Sequence, residues 1–251
     1  MALMAKHGEI TPMPKCAIFA DTQDEPASVY KWLDWLEKEL PFPVYRETAG
    51  HLSKRALTLK TAKNGNIYAP VAIPAYTINP DGSFGINRRD CTQDFKINVL
   101  RRKMLKLAGK FADVIQWIGI SMDECHRMKP SRHVRISNKW PLVEARIRRS
   151  GCLQWMRKHG YPKPPRSACI YCPYHSDAEW RRLRAEEPEA FSRAVKFDKD
   201  YREMAAKCST FRAIPYLHNS RVPLDQVDFS TDEDHGQQVM FGNECEGMCG
   251  V

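Results

Sequence analysis

An open, mostly parallel α/β sheet with flanking helices, followed by a helical and cysteine-rich C-terminal part, is the fold class this sequence predicts. Three observations carry it. Strand, helix and strand follow one another within residues 15–46. Two apolar strands each run straight into acidic residues. Nine cysteines in 251 residues crowd toward the C-terminal half.

Residues 15–20, KCAIFA, read as a buried parallel strand that ends at Asp21 and Thr22. Residues 28–40 read as an amphipathic helix, because Val29, Trp32, Leu33, Leu36 and Leu40 share one face. Pro41 stops it, and residues 42–46 form the second strand. Strand, helix and strand in that order make a parallel unit with the helix outside the sheet. Residues 59–87 are loop-rich, with turn signals at Asn64-Gly65 and Asp81-Gly82. Residues 94–108 are helical and Gly109 is the stop. Residues 114–120, VIQWIGI, are another buried strand, followed by Asp123 and Glu124. A short helix over 151–159 ends at Gly160. Ser176 and Glu179 form a capping box that opens the next helix, and Pro188 opens the last. Residues 1–150 are assigned to the α/β part, and 151–251 to a cysteine-rich extension and acidic tail of the same domain.

The chain carries 39 Lys and Arg against 30 Asp and Glu, a net charge of +9. The charge is unevenly placed. Residues 127–166 hold twelve Lys and Arg and one acid, Glu144, whereas residues 224–251 hold seven acids and no Lys or Arg. A basic block of that density points to phosphates, in a nucleotide or a nucleic acid, or else to a solvated surface. No apolar run reaches the ~18 residues of a membrane span, so no membrane partner is expected. The opening MALMAKHGEI is too short and polar for a secretory signal, which makes the cytoplasm the expected compartment.

In a reducing compartment nine cysteines favour metal binding or redox chemistry over disulfides. Cys169-Ile-Tyr-Cys172-Pro is the sharpest signal, since this spacing turns two thiolates toward one metal or cluster. A redox dithiol is the alternative. Cys91, Cys152, Cys245 and Cys249 are the further ligand candidates, Cys152 because its helix leads directly to the Cys169 turn. Ligands of open α/β sheets bind beyond the carboxyl ends of the strands, so Asp21, Thr22, Asp123 and Glu124 are site candidates by position; turn-forming acids are the plain alternative.

Taken in order, IFADTQDEPASVY, CTQDFKINVLRRKM, WIGISMDECHR, WPLVEARIRRSGC, the Cys169–Cys172 turn and the terminal ECEG resemble the phosphoadenosine phosphosulfate (PAPS) reductase family, within the adenine nucleotide alpha hydrolase-like superfamily. The family's Ser-Gly-Gly-x-Asp-Ser phosphate loop is absent, and MALMAKHGEI looks like the helix that follows it, so the α/β part is expected to be N-terminally truncated. Thr92 stands where the family has the second cysteine of a pair, and the tail lacks the reductases' terminal His.

The resemblance implies an enzyme of sulfur chemistry, a PAPS reductase-like oxidoreductase or sulfurtransferase. It implies a [4Fe–4S] cluster on Cys91, Cys169 and Cys172, with Cys152 chosen as the fourth ligand; zinc is the alternative metal. Cys245 and Cys249 are the expected reactive thiols, with Asp123 and Glu124 beside them. Asp21, Thr22, Lys96, Arg101 and Arg127 are expected to hold the nucleotide or sulfated nucleotide. ATP or another adenine nucleotide is expected only if a phosphate loop is supplied. Other expected partners are tRNA or DNA and a thiol reductant protein. A different class remains beside this one: a zinc-stabilised nucleic-acid-binding protein without catalysis.

Overall fold

The computed structural model describes residues 1–230. They form a mixed α/β protein of helices and small sheets. A short buried helix, α1 (Ala2–Lys6), precedes strand β1 (Ala17–Asp21), helix α2 (Ala27–Glu39) and strand β2 (Val44–Thr48). β1 and β2 are parallel, in register from Ala17 opposite Val44 to Asp21 opposite Thr48. Val29 and Leu33 are the buried positions of α2, as the helical spacing requires. α2 ends at Leu40, whose extended backbone precedes Pro41.

Helix α3 (Leu52–Ala56) leads into the expected loop-rich stretch, which holds two hairpins. β3 (Lys60–Thr61) pairs with β4 (Ile67–Tyr68). β5 (Tyr76–Ile78) is the middle strand of a three-stranded antiparallel sheet, between β6 (Phe84–Ile86) and the late strand β9 (Pro215–Tyr216). α4 (Asp90–Thr92) runs through a π-helical stretch, Gln93–Ile97, into α5 (Asn98–Ala108). Gly109 stops α5 with φ of 74°, a left-handed conformation that glycine adopts without penalty.

β7 (Val114–Trp117) pairs in parallel with β8 (Ile136–Lys139). α6 (Pro141–Glu144) and α7 (Arg149–Lys158) follow. α8 (Asp177–Glu186) is capped by Ser176, whose hydroxyl accepts the Glu179 N–H, and α9 (Pro188–Ala205) starts at its proline.

The sheet differs from the expectation. Among the described residues the two parallel pairs are separate ladders, and antiparallel hairpins fill the stretch between them. β1 is therefore half-buried rather than enclosed. β7 leaves its ladder after Trp117, earlier than the apolar run suggests, because Ile118 and Ile120 turn to line a cavity.

Each apolar core draws on both sides of residue 150. The largest joins Leu52, Val71, Ile73 and Phe95 to Cys169, Tyr171, Trp180, Leu183, Phe197 and Tyr201. In it Tyr171 stacks on Phe197 with ring centroids 4.1 Å apart. A second joins Leu3, Leu40 and Phe42 to Trp155, and a third joins Met4 and Leu142 to Cys152. Among the described residues no helix is long and apolar enough to cross a membrane.

Candidate functional site

Two cavities lie against the helical segment that begins at Asp90, and its π-helical stretch serves both. Thr92 and Lys96 line the smaller cavity, of about 30 Å³, together with Cys91. Gln93 and Ile97 line the larger, of about 260 Å³, together with Arg101. A π-turn spaces side chains differently from an α-turn and recurs at functional sites.

The smaller cavity gathers three thiols from two distant parts of the chain. Cys91 comes from α4, and Cys169 and Cys172 come from one tight turn closed by the Cys172 N–H donating to the Cys169 carbonyl at 2.9 Å. Cys169 is buried. Its sulfur lies 3.2 Å from the Thr22 hydroxyl, and its thiol donates to Glu25 Oε1 at 3.8 Å. Burial pushes the Cys169 thiol well above its ordinary pKa, the Glu25 charge adds to that, and Lys96 opposes it. Burial also raises Cys91, against Arg89 and Lys96. At neutral pH both are thiols.

Cys152 is not part of this group. It packs beside Met1 and Trp117 in another core, and burial raises its thiol. Chain proximity misleads here, because Gly160 ends α7's turn and residues 161–168 carry the backbone away before Cys169. The expected four-thiolate set is thus three thiols among the described residues. No group of three or more His, Cys, Asp or Glu among those residues is arranged to hold a metal ion. Cys245 and Cys249 lie outside the described residues.

The larger cavity has an apolar floor and a cationic rim. Leu100, Met104, Ile118 and Ile136 form the floor, and Arg101, Arg127, Lys129, Arg132 and His133 the rim; no carboxylate is among its described lining residues. Asn138 Oδ1 and Trp140 Nε1 are buried in its wall without a hydrogen-bond partner among the described residues. Arg101 reaches the Asn98 side chain at 2.8 Å, and Arg127 pairs with Glu124. An anion with a flat apolar body suits such a site, since the guanidinium groups meet its charge and Trp140 offers a ring and a donor.

The expected acids are used otherwise. Asp123 accepts the Arg149 N–H at 2.6 Å at the start of α7, and that bond holds its carboxyl below the usual range. Glu124 is the ion-pair partner of Arg127. Neither lines either of these two cavities. Asp21 closes its own turn through the Gln23 N–H and accepts from Tyr30 at 2.8 Å. Lys96 lines the thiol cavity, Thr22 stays buried behind it against the Cys169 sulfur, and Arg101 and Arg127 line the larger cavity.

Sequence reasoning missed Asp24, Glu25, Tyr171 and His175, all buried around the Cys169 turn. Asp24 and Glu25 fall in a polar run, residues 21–25, that reads as an ordinary turn, and no local pattern marks Tyr171 or His175.

In comparisons with known proteins, no family model matches the chain, and no curated protein or solved structure does either.

Proposed function

We propose that this chain is a PAPS reductase-like thiol enzyme that takes sulfur from an anionic nucleotide, built on an adenine nucleotide alpha hydrolase-like arrangement. One observation carries the proposal: Cys91, Cys169 and Cys172 converge on a cavity that shares a single helical wall with a cationic, apolar-floored pocket. The nucleotide belongs in the larger cavity, its phosphate on Arg101 and Arg127. The two parallel strand pairs, with α2 connecting β1 to β2, support the fold.

The chemistry needs two thiols. One thiolate attacks the sulfonyl sulfur, and the nucleotide phosphate leaves with the bonding pair. A second thiol attacks the resulting S-sulfocysteine, sulfite leaves, and the two cysteine sulfurs end as a disulfide. An external thiol reductant reopens it. Cys169 gives up its proton to reach the thiolate, and Glu25 is the adjacent acceptor. Among the described residues no three thiols, histidines or carboxylates are arranged to hold a metal ion, so the chemistry proposed runs through the thiols themselves. Cys245 and Cys249 remain proposed reactive thiols, and a thiol reductant protein the proposed partner.

The test is anaerobic incubation with PAPS or adenylyl sulfate and dithiothreitol, measuring sulfite, with iron and zinc determined on the same preparation. Nucleotide-dependent sulfite release, lost in Cys169→Ser and Cys172→Ser, is the expected result. Removal of the last eight residues separates the tail thiols from the pocket thiols. No sulfite above the reductant-only blank from wild-type protein overturns the proposal.

A further inference from the structure

The three-stranded sheet places its aromatic and aliphatic side chains on one face. Pairing sets this directly: Tyr76 lies opposite Ile86 on one side and Tyr216 on the other, and Ile78 lies opposite Phe84. Alternation along a strand then puts Tyr76, Ile78, Phe84, Ile86 and Tyr216 on the same side, and Thr77, Gly85 and Pro215 on the other. The second side is packed inward, with Thr77 and Pro215 buried. The first side stays in solvent, with Phe84 70% exposed, Ile86 48% and Ile78 43%. Exposed apolar side chains grouped in this way mark an interaction surface.

An arginine is laid across this face. The Arg221 guanidinium sits 3.9 Å from the Phe84 ring centroid and 5.7 Å from that of Tyr76. It donates to two carbonyl oxygens, of Thr77 and Asn219, and no carboxylate among the described residues pairs with it. Its backbone is held at φ of 58°, in the left-handed region that a non-glycine residue seldom occupies. Arg202 of α9 also lies 5.8 Å from the Tyr216 ring, but its charge is met by Asp198 at 3.2 Å. At the end of β6, Arg88 and Arg89 lead on to Cys91 of the thiol cavity. An aromatic surface carrying the Arg221 guanidinium meets two features at once, π-faces and phosphates.

We infer that this face of β5, β6 and β9 is a stacking platform for single-stranded nucleic acid. Bases stack on Phe84 and Tyr76, and Arg221 contacts the backbone phosphates. The side chains offer base faces and phosphates their contacts and nothing to the sugar, so DNA and RNA bind alike. A protein partner of this patch would bury Phe84 against apolar side chains; Arg221 beside it, with no carboxylate partner among the described residues, favours a polyanion instead. This surface lies outside the basic block of residues 127–166 and stands independently of the sulfur chemistry.

The experiment is fluorescence anisotropy of the full chain with end-labelled poly-dT and poly-U strands of about 15 nucleotides, a site size common for such platforms. Expected results are binding of both strands, weakening between about 50 and 200 mM salt. Phe84→Ala and Arg221→Ala each weaken it about 5-fold or more, as loss of one base-stacking contact does. Phe84→Tyr retains it, and a duplex of equal length competes poorly. Phe84 is exposed, so its replacement leaves the core intact, and circular dichroism checks this. The inference is overturned if wild-type protein binds no strand, if both alanine variants bind as wild type does, or if duplex competes equally. Sedimentation as a dimer that Phe84→Ala converts to a monomer, without strand binding, also overturns it and gives the face to a second copy.

Discussion

The Tyr171 hydroxyl donates to the buried carboxylate of Asp24 at 2.6 Å. The same carboxylate accepts the Ser53 N–H at 2.9 Å, the Ser53 hydroxyl at 3.0 Å and an Arg193 N–H at 3.1 Å, while the Asp24 carbonyl accepts the Ile170 N–H at 2.9 Å. One side chain thus ties the end of β1 to the start of α3, to the Cys169 turn and to α9. This junction beside the thiol cavity is held from three directions.

Asp24→Ala leaves buried donors without an acceptor and is expected to cost about 3–5 kcal/mol of stability. Tyr171→Phe removes one bond to a charged group and is expected to cost about 1.5–3 kcal/mol. Urea unfolding at neutral pH measures both. Equal losses would mean that Ser53 and Arg193 contribute nothing at the junction.

His175 gives the protein an acid limit. Burial, with the Arg166 charge next, pushes its pKa down to about 3, and its ring stacks edge-on against Trp180. Nε2 donates to the Cys169 carbonyl at 2.9 Å, which sets the tautomer of the neutral ring that burial favours. In the unfolded chain the ring takes up a proton near pH 6.5, so below that pH the unfolded state binds more protons. Stability therefore falls as pH drops from about 6.5 toward 3, by about 1.4 kcal/mol per unit, or about 2 kcal/mol by pH 5. His175→Gln keeps a donor for the carbonyl and should flatten that slope in pH-dependent urea melts.

The thiols should react in an order set by burial and local charge. Cys125 is exposed and is expected to be alkylated first by iodoacetamide, and Cys169 last. Because the Glu25 charge raises the Cys169 thiol and Lys96 lowers it, Glu25→Gln is expected to speed Cys169 alkylation and Lys96→Ala to slow it. Peptide mass spectrometry after timed alkylation reads each site. Unchanged Cys169 rates in both variants would show that burial alone sets its reactivity.

Nucleotide affinity should depend on the rim of the larger cavity. ATP is expected to bind with a Kd of ~1 mM or weaker, worth only ~4 kcal/mol, since the chain has no phosphate loop. Arg101→Ala and Arg127→Ala should each weaken AMP binding about 10-fold, the effect of one lost charge-assisted contact. Isothermal calorimetry measures it. Micromolar ATP affinity would demand another phosphate site.

Local pattern predicted local structure well. The spacing of Val29 and Leu33 marked α2, Gly109 marked the end of α5, and Ser176 with Glu179 marked the start of α8. What depends on distant partners stayed hidden. β8 lies inside the basic block with only Ile136 buried, too little for a period-two signal. The role of Asp123 is a bond to a backbone N–H 26 residues away, which no motif records. Cys152 and Cys169 are close along the chain yet lie in different cores, whereas Cys91, far upstream, reaches the Cys169 turn because α4 packs against it. The three-stranded sheet was unreadable because β9 joins β5 from more than a hundred residues later.

The helical wall between the two cavities is indexed by a single residue. A π-turn arises when one residue is inserted into an α-helix, and each residue of an α-helix turns the chain by about 100°. Deleting one residue from Gln93–Ile97 would let the segment relax to an ordinary helix. Cys91 would then swing by about that angle relative to Arg101. The thiol side and the nucleotide side would each survive as a surface, out of phase with one another. The distance over which the two cavities can cooperate is thereby written as a count of residues, and a deletion scan across five positions is enough to read it.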